Sequence, residues 1–194
     1  MKYGLEILLY FLKNNKMNLN NWIIDENKNK IHSTVLIGEN VILGKNNLIY
    51  PYTVLGLPGA IRDLKKSTGK IIIGDNNTIG NNVSIMIGKN GVTEIGDDNI
   101  IMNYVNIGHD SIIGNNNEIG VKTIIAGYCK IGNNNMIKLD CTLRNRISIG
   151  DDNLIGMGSV VTKNFKIHNW TIYGNPARRI KLRVNENTVY TNDI

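Results

Sequence analysis

Between Ile95 and Lys163 the chain repeats every six residues, and that period limits the folds open to it. In sixes the stretch reads IGDDNI, IMNYVN, IGHDSI, IGNNNE, IGVKTI, IAGYCK, IGNNNM, IKLDCT, LRNRIS, IGDDNL, IGMGSV. The first place of every hexad is aliphatic, and the pattern carries on through Val161 and Ile167 to Tyr173. An amphipathic helix repeats at about 3.6 residues and an alternating strand at 2, so six fits neither. It fits a parallel β-helix, in which short strands wind into flat coils that stack along one axis. Each coil then buries its neighbour's face, so the core grows with the number of coils.

The repeat begins at Ile31, runs through Ile37, Leu43, Ile49 and Leu55, and breaks. It returns at Ile73, Ile79 and Ile85, breaks again, and resumes at Ile95. Three hexads make one triangular coil, which places each residue over the one 18 later. The sequence supports this independently. Hexads that open Ile/Leu-Gly and carry Asn fifth start at Leu43, Ile73, Ile95, Ile113, Ile131 and Ile149, the last four spaced by 18. Asn99, Asn117, Asn135 and Asn153 then form a ladder up one edge, each amide within reach of the next across about 4.8 Å. That ladder is structural. The expected fold is all-β, roughly seven coils over residues 31–181.

Spacing also locates two insertions. Leu43 to Ile73 is one coil plus 12 residues, and Ile73 to Ile95 one coil plus 4. Both fall in the third hexad of their coil, at 57–70 and 86–94. Loops leaving a rigid scaffold are where function concentrates. The third hexad of the next coil is IGHDSI, with His109, the one histidine inside the regular repeat. Third places of successive third hexads are His109, Gly127, Asn145 and Lys163, one strip at coil spacing. A histidine there can serve as general base near neutral pH, with Asp110 beside it to orient the ring. Gly127 lets a substrate approach its backbone N–H, a candidate oxyanion donor. Asn145 and Lys163 extend the strip for a long thin ligand.

Residues 1–30 read as a short amphipathic helix and connection capping the first coil, and 182–194 as a tail. The apolar run Leu5 to Leu12 is far short of the roughly 20 residues that span a bilayer. One Lys precedes it and no small-residue cleavage site follows, so a bacterial cytoplasmic location is expected, without membrane contact. A net charge of +6 fits anionic partners such as phosphates and nucleotides. No arginine-rich helix or nucleic-acid motif accompanies it, so nucleic acid is not expected. Cys129 and Cys141 both occupy a fifth place and read as packing groups. No Cys/His ligand spacing points to a metal.

At the strip a resemblance becomes specific. IMNYVNIGHDSIIG followed by IIAGYCKIG resembles the hexapeptide acyltransferases that modify nucleotide-linked sugars, whose marks are the His-Asp pair and the Ala-Gly one coil later. The first loop, with Arg62, Asp63, Leu64 and Lys65, resembles the sugar-nucleotide loop of UDP-N-acetylglucosamine O-acyltransferase. IGMGSVVTKN and YGNPARRIK resemble the acetyl-CoA enzymes that N-acetylate nucleotide-linked amino sugars. The similarity covers roughly residues 31–181.

The resemblance implies a left-handed coil and a homotrimer with active sites between subunits. It implies His109 as base, Asp110 as its partner and Gly127 N–H as oxyanion donor. Asp63, Lys65, Asn103 and Tyr104 would contact the nucleotide sugar. Ala126, Gly127, Asn145, Gly158, Lys163, Asn175, Arg178 and Arg179 would contact the coenzyme. Where the O-acyltransferases have further histidines this chain has Asn106, Tyr128 and Arg144, and only Val184 to Ile194 stand where they carry a long helical domain. The leading expectation is therefore an acyl-CoA-dependent N-acyltransferase acting on a dTDP- or UDP-linked amino sugar, for surface polysaccharide such as lipopolysaccharide or O-antigen. Two alternatives stand beside it: an O-acyltransferase taking UDP-N-acetylglucosamine and an acyl-carrier-protein thioester, and a non-catalytic binding or assembly solenoid.

Overall fold

Each hexad folds into a two-residue strand and a corner. A computed structural model describes residues 21–58, 68–88 and 91–183. The strand takes the sixth place of one hexad and the first of the next, as in Asn106–Ile107, Ile112–Ile113 and Ile124–Ile125. The first-place side chain points inward, and from Ile49 to Val161 none is more than 4% exposed. Each such Ile or Leu contributes about 1.5–3 kcal/mol relative to exposure. The fourth place takes the left-handed conformation, with φ between 54° and 64° from Asp98 to Asp152. Asn and Asp tolerate that region best among residues with a Cβ, which accounts for the repeated NN and DD pairs. No β-branched residue stands there.

Among the described residues the strands form three sheets of ten, seven and six strands, and no helix is present. They wrap a left-handed parallel β-helix of about seven coils, against the right-handed habit of parallel crossovers. Pairings such as Ile95 with Ile113, Ile101 with Ile119 and Ile107 with Ile125 keep the 18-residue register. The insertions are absorbed without loss of register, since Leu43 pairs with Ile73 and Ile73 with Ile95. The ten-stranded sheet ends in an antiparallel pair at each end: Trp22–Ile24 on Lys30–His32, and Trp170–Gly174 on Ala177–Leu182. The expected N-terminal helix lies outside the described residues, as does the tail from 184.

The asparagine ladder is longer than its spacing indicates and is wired through the backbone. Asn117 N–H donates to Asn99 Oδ1, Asn135 N–H to Asn117 Oδ1 and Asn153 N–H to Asn135 Oδ1, at 2.8–2.9 Å. It starts at Asn29 and ends on Trp170 N–H. The last coil corrects the hexad reading. Ile149 bridges Phe165 and Ile155 pairs with Ile172, so Phe165 and Ile172 take the inward places. Tyr173, expected inward, is 54% exposed. This coil has no regular successor to hold a six-residue step, and the Trp170–Leu182 hairpin imposes its own register.

Candidate active site

The edge between the seven- and six-stranded sheets carries the strip. His109 leaves the strand Asn106–Ile107 just before the corner, and Asp110 occupies the corner with φ 56°. Neighbouring side chains diverge along an extended strand. The positive φ turns the Asp110 carboxylate back instead, and Oδ2 lies 2.7 Å from His109 Nδ1. Both side chains are largely enclosed, 18% and 10% exposed. The carboxylate accepts from Nδ1–H, which leaves the Nε2 lone pair to take a proton.

Gly127 lies one coil on, on the same edge. A Cβ built there would stand 2.8 Å from His109 Nε2. Tyr128 N–H donates to His109 O at 2.9 Å, and Arg146 N–H to Gly127 O at 3.0 Å, so these corners are stacked rung on rung. Among the described residues the Gly127 N–H has no acceptor. On the asparagine-rich edge the equivalent N–H groups are capped: Asp97 by Asn115 Oδ1, Asn115 by Asn133 Oδ1 and Asn133 by Asp151 Oδ1. Asn145 stands where such a cap would come from and does not make it. An uncapped N–H beside an imidazole Nε2 is an arrangement able to take a proton and to hold a developing oxyanion.

Two further groups steady the ring, and sequence reasoning passed over both. Tyr128 meets the imidazole edge to face, with centroids 4.9 Å apart and planes at 84°. The Arg146 guanidinium lies 4.5 Å from the Tyr128 centroid. The sequence showed Tyr128 only as a departure from relatives, and Arg146 as one more cation.

The other expected residues divide. Asn145 and Lys163 continue the His109 edge and are exposed, Lys163 with Nζ 5.7 Å from the Phe165 ring centroid. Ala126 lies beneath, its carbonyl accepting from Ser111 Oγ at 3.2 Å. Asn103, Tyr104 and Gly158 stand on a different edge, between the ten- and seven-stranded sheets. Asn103 Oδ1 accepts Asn81 N–H there, and Gly158 has φ 70°. Asn175, Arg178 and Arg179 lie on the terminal hairpin; Arg179 stacks 5.2 Å from the Trp170 centroid and Arg178 donates to the Pro176 and Ala177 carbonyls. Asp63 and Lys65 lie outside the described residues.

The remaining histidines sit elsewhere. His32 Nδ1 is 2.9 Å from Thr34 Oγ1, and His168 Nδ1 is 3.2 Å from Asp151 Oδ2. Burial pushes the Cys129 and Cys141 thiols up. Among the described residues no three His, Cys, Asp or Glu side chains cluster to hold a metal ion. Nor is any helix among them long and apolar enough to cross a membrane.

No family model matches the sequence. An acyl-[acyl-carrier-protein]–UDP-N-acetylglucosamine O-acyltransferase of Ectopseudomonas mendocina is 32% identical over 134 residues, 68% of this chain and 52% of that protein. The enzyme of the same name in Stutzerimonas stutzeri is 32% identical over 138 residues, 70% and 53% of the two chains. In structure, the UDP-N-acetylglucosamine acyltransferase of Bacteroides fragilis superposes with a TM-score of 0.76, at 28% identity over 79% of this chain and 61% of that one. The homologues of this chain are hexapeptide-repeat acyltransferases, and it shares their β-solenoid fold. The chain spans about half the length of the curated relatives it matches. A perosamine N-acetyltransferase of Caulobacter crescentus shares the fold alone, at 18% identity and a TM-score of 0.50.

Proposed function

We propose that this acyltransferase moves an acyl group from an acyl-carrier-protein thioester to a hydroxyl of UDP-N-acetylglucosamine, at the corner of His109 and Gly127. The reading rests on one observation above others: an imidazole with a free Nε2, backed by a carboxylate at 2.7 Å and adjoining an uncapped backbone N–H. The sequence alone ranks a sugar amine and coenzyme A first. Two considerations reverse that order. The two curated relatives described above, each 32% identical, are named as O-acyltransferases with carrier-protein donors. A hydroxyl, moreover, must give up its proton to become a competent nucleophile, whereas a neutral amine attacks before losing one. A carboxylate-backed imidazole therefore matters more for the hydroxyl.

The geometry of His109, Asp110 and Gly127 supports the following steps. His109 Nε2 takes the hydroxyl proton as the sugar oxygen bonds to the thioester carbonyl carbon. The carbonyl oxygen becomes an oxyanion that accepts from Gly127 N–H, a donor of a kind worth about 3 kcal/mol of barrier. Collapse breaks the C–S bond, and the imidazolium returns its proton to the departing thiolate. Asp110 keeps the ring in place throughout. Asp63 and Lys65 contact the nucleotide sugar in this scheme, and Asn145 and Lys163 guide the acyl donor. The enzyme works as a homotrimer in the bacterial cytoplasm.

The second reading, N-acylation of a dTDP- or UDP-linked amino sugar from acyl-CoA, is supported by the terminal hairpin. There Asn175 and Arg178 are exposed in a segment resembling that of acetyl-CoA enzymes. Supplying purified protein with acyl-carrier protein or acyl-CoA, and with UDP-N-acetylglucosamine or amino sugars, separates the two by product mass and alkali lability. An ester formed from the carrier-bound acyl group is expected. An amide formed only from acyl-CoA would replace the first reading by the second.

A further inference from the structure

A catalytic carboxylate is useful only if it is held still, and Asp110 is held by the second insertion. We infer that Gly88, Gly91 and Thr93 are positioning residues that seat the Asp110 carboxylate and thereby fix the His109 imidazole. Asp110 N–H donates to Thr93 Oγ1 at 2.8 Å, and the Thr93 hydroxyl donates its one proton to Met86 O at 2.8 Å. Thr93 is fully buried, so its oxygen is committed to receiving from Asp110. The carboxylate lies directly against Gly88 and Gly91, where a Cβ on either would fall within its oxygens. Neither glycine has a positive φ, so what the site uses is their lack of a side chain.

The same close approach recurs on the asparagine-rich edge, where its purpose is visible. Gly44 faces Asp75, Gly74 faces Asp97 and Gly96 faces Asn115. In each case the side-chain oxygen accepts the N–H just after the glycine, at 2.7–2.8 Å. Bare backbone is how this solenoid fixes an Asp or Asn oxygen. At Asp110 the insertion supplies that backbone, which leaves Oδ2 for the imidazole. Gly69, where the first insertion rejoins the prism, stacks on the same seat: a Cβ there would stand 2.6 Å from Gly91 O and 2.7 Å from Gly88 O. Lys70 N–H also donates to Gly91 O at 3.1 Å. Both insertions thus end on one glycine stack behind the His–Asp pair.

The inference deepens the proposed function and rests on it for turnover, but not for its structural test. An Nδ1–H donating to a carboxylate gives a far-downfield proton resonance, readable by NMR on the full chain without substrate. D110N assigns that signal to His109 by abolishing it. G91A and T93V are expected to abolish or broaden it, T93S to keep it, and kcat to fall by about tenfold to a hundredfold with KM within twofold. Circular dichroism melting identifies any variant that has not folded; should G91A be one, the T93V and T93S pair decides. A signal that persists in every folded loop variant, or is missing from the native protein, overturns the seat. If the native protein shows the signal but transfers no acyl group, the proposed function fails while the variants still decide the seat.

Discussion

His109 is enclosed by groups that each do one thing: Asp110 takes its Nδ1–H, Tyr128 closes one side and Gly127 opens the space at Nε2. H109A should lower kcat by about 10²- to 10⁴-fold, the usual worth of a general base, with KM and melting temperature nearly unchanged. Steady-state kinetics with a calorimetric scan checks this. In G127A the added methyl would sit 2.8 Å from Nε2 and displace the ring. Turnover should fall on the order of 10²-fold even though the donor N–H is retained. The buried cysteines make a separate prediction about pH. Their folded pKa lies above the unfolded value, so the stability they add is complete below the ordinary thiol pKa of about 8.5 and declines as pH rises beyond it. Serine already fills this place at Ser111 and Ser159. A C129S/C141S double variant should therefore fold and lose that part of the alkaline decline, read as urea midpoints from pH 7 to 10. Within the site, the stacking of His109 and Gly127 was legible because both fall on the 18-residue period. The Asp110 contact was expected from its place beside His109, but how it is made was not, because the carboxylate turns back only through the left-handed φ at that corner. Thr93, Gly88 and Gly91 were missed because an insertion has no period to read.

At the scale of the element, the ladder ties coil to coil. Asn117 Oδ1 accepts Asn135 N–H at 2.8 Å, while Asn117 N–H and Nδ2 both turn to Asn99 Oδ1. N117A should leave the Asn135 N–H buried without a partner and cost about 1–3 kcal/mol, measured by urea unfolding. Asparagine at the equivalent rungs is thus selected by the backbone donor above it as much as by the amide beside it. The sequence reads these elements well where the first place is Ile and the fifth is small, since burial then follows directly from period. It fails in the final coil. There Phe165 and Ile172 take the inward places because the antiparallel hairpin, not a further hexad, is the next partner. A period measured upstream carries no information about where such a hairpin will set its register.

For the whole molecule the question is what covers the flanks of the reactive edge. The sixth place of each hexad points outward, and on these two sheets it is filled by groups such as Asn106, Lys130, Thr142 and Ser148. Ile112 and Ile124, on either side of the His109 and Gly127 corners, are instead 40% and 46% exposed. Exposed aliphatic side chains bracketing a polar site gain stability when a second subunit covers them, at about 25 cal/mol per Å² removed from water. That is the physical support for the proposed trimer with sites between subunits. An arginine at both positions (I112R/I124R) leaves every first-place core residue untouched, so each coil should still form. Sedimentation equilibrium should then show dissociation toward monomer, and acyl transfer should be lost in proportion to the trimer lost. Restoring turnover by raising protein concentration would tie the loss to assembly, because association responds to concentration and a damaged corner does not. Dissociated protein with full activity would mean that each chain completes its own site, and the shared-site arrangement would have to be abandoned.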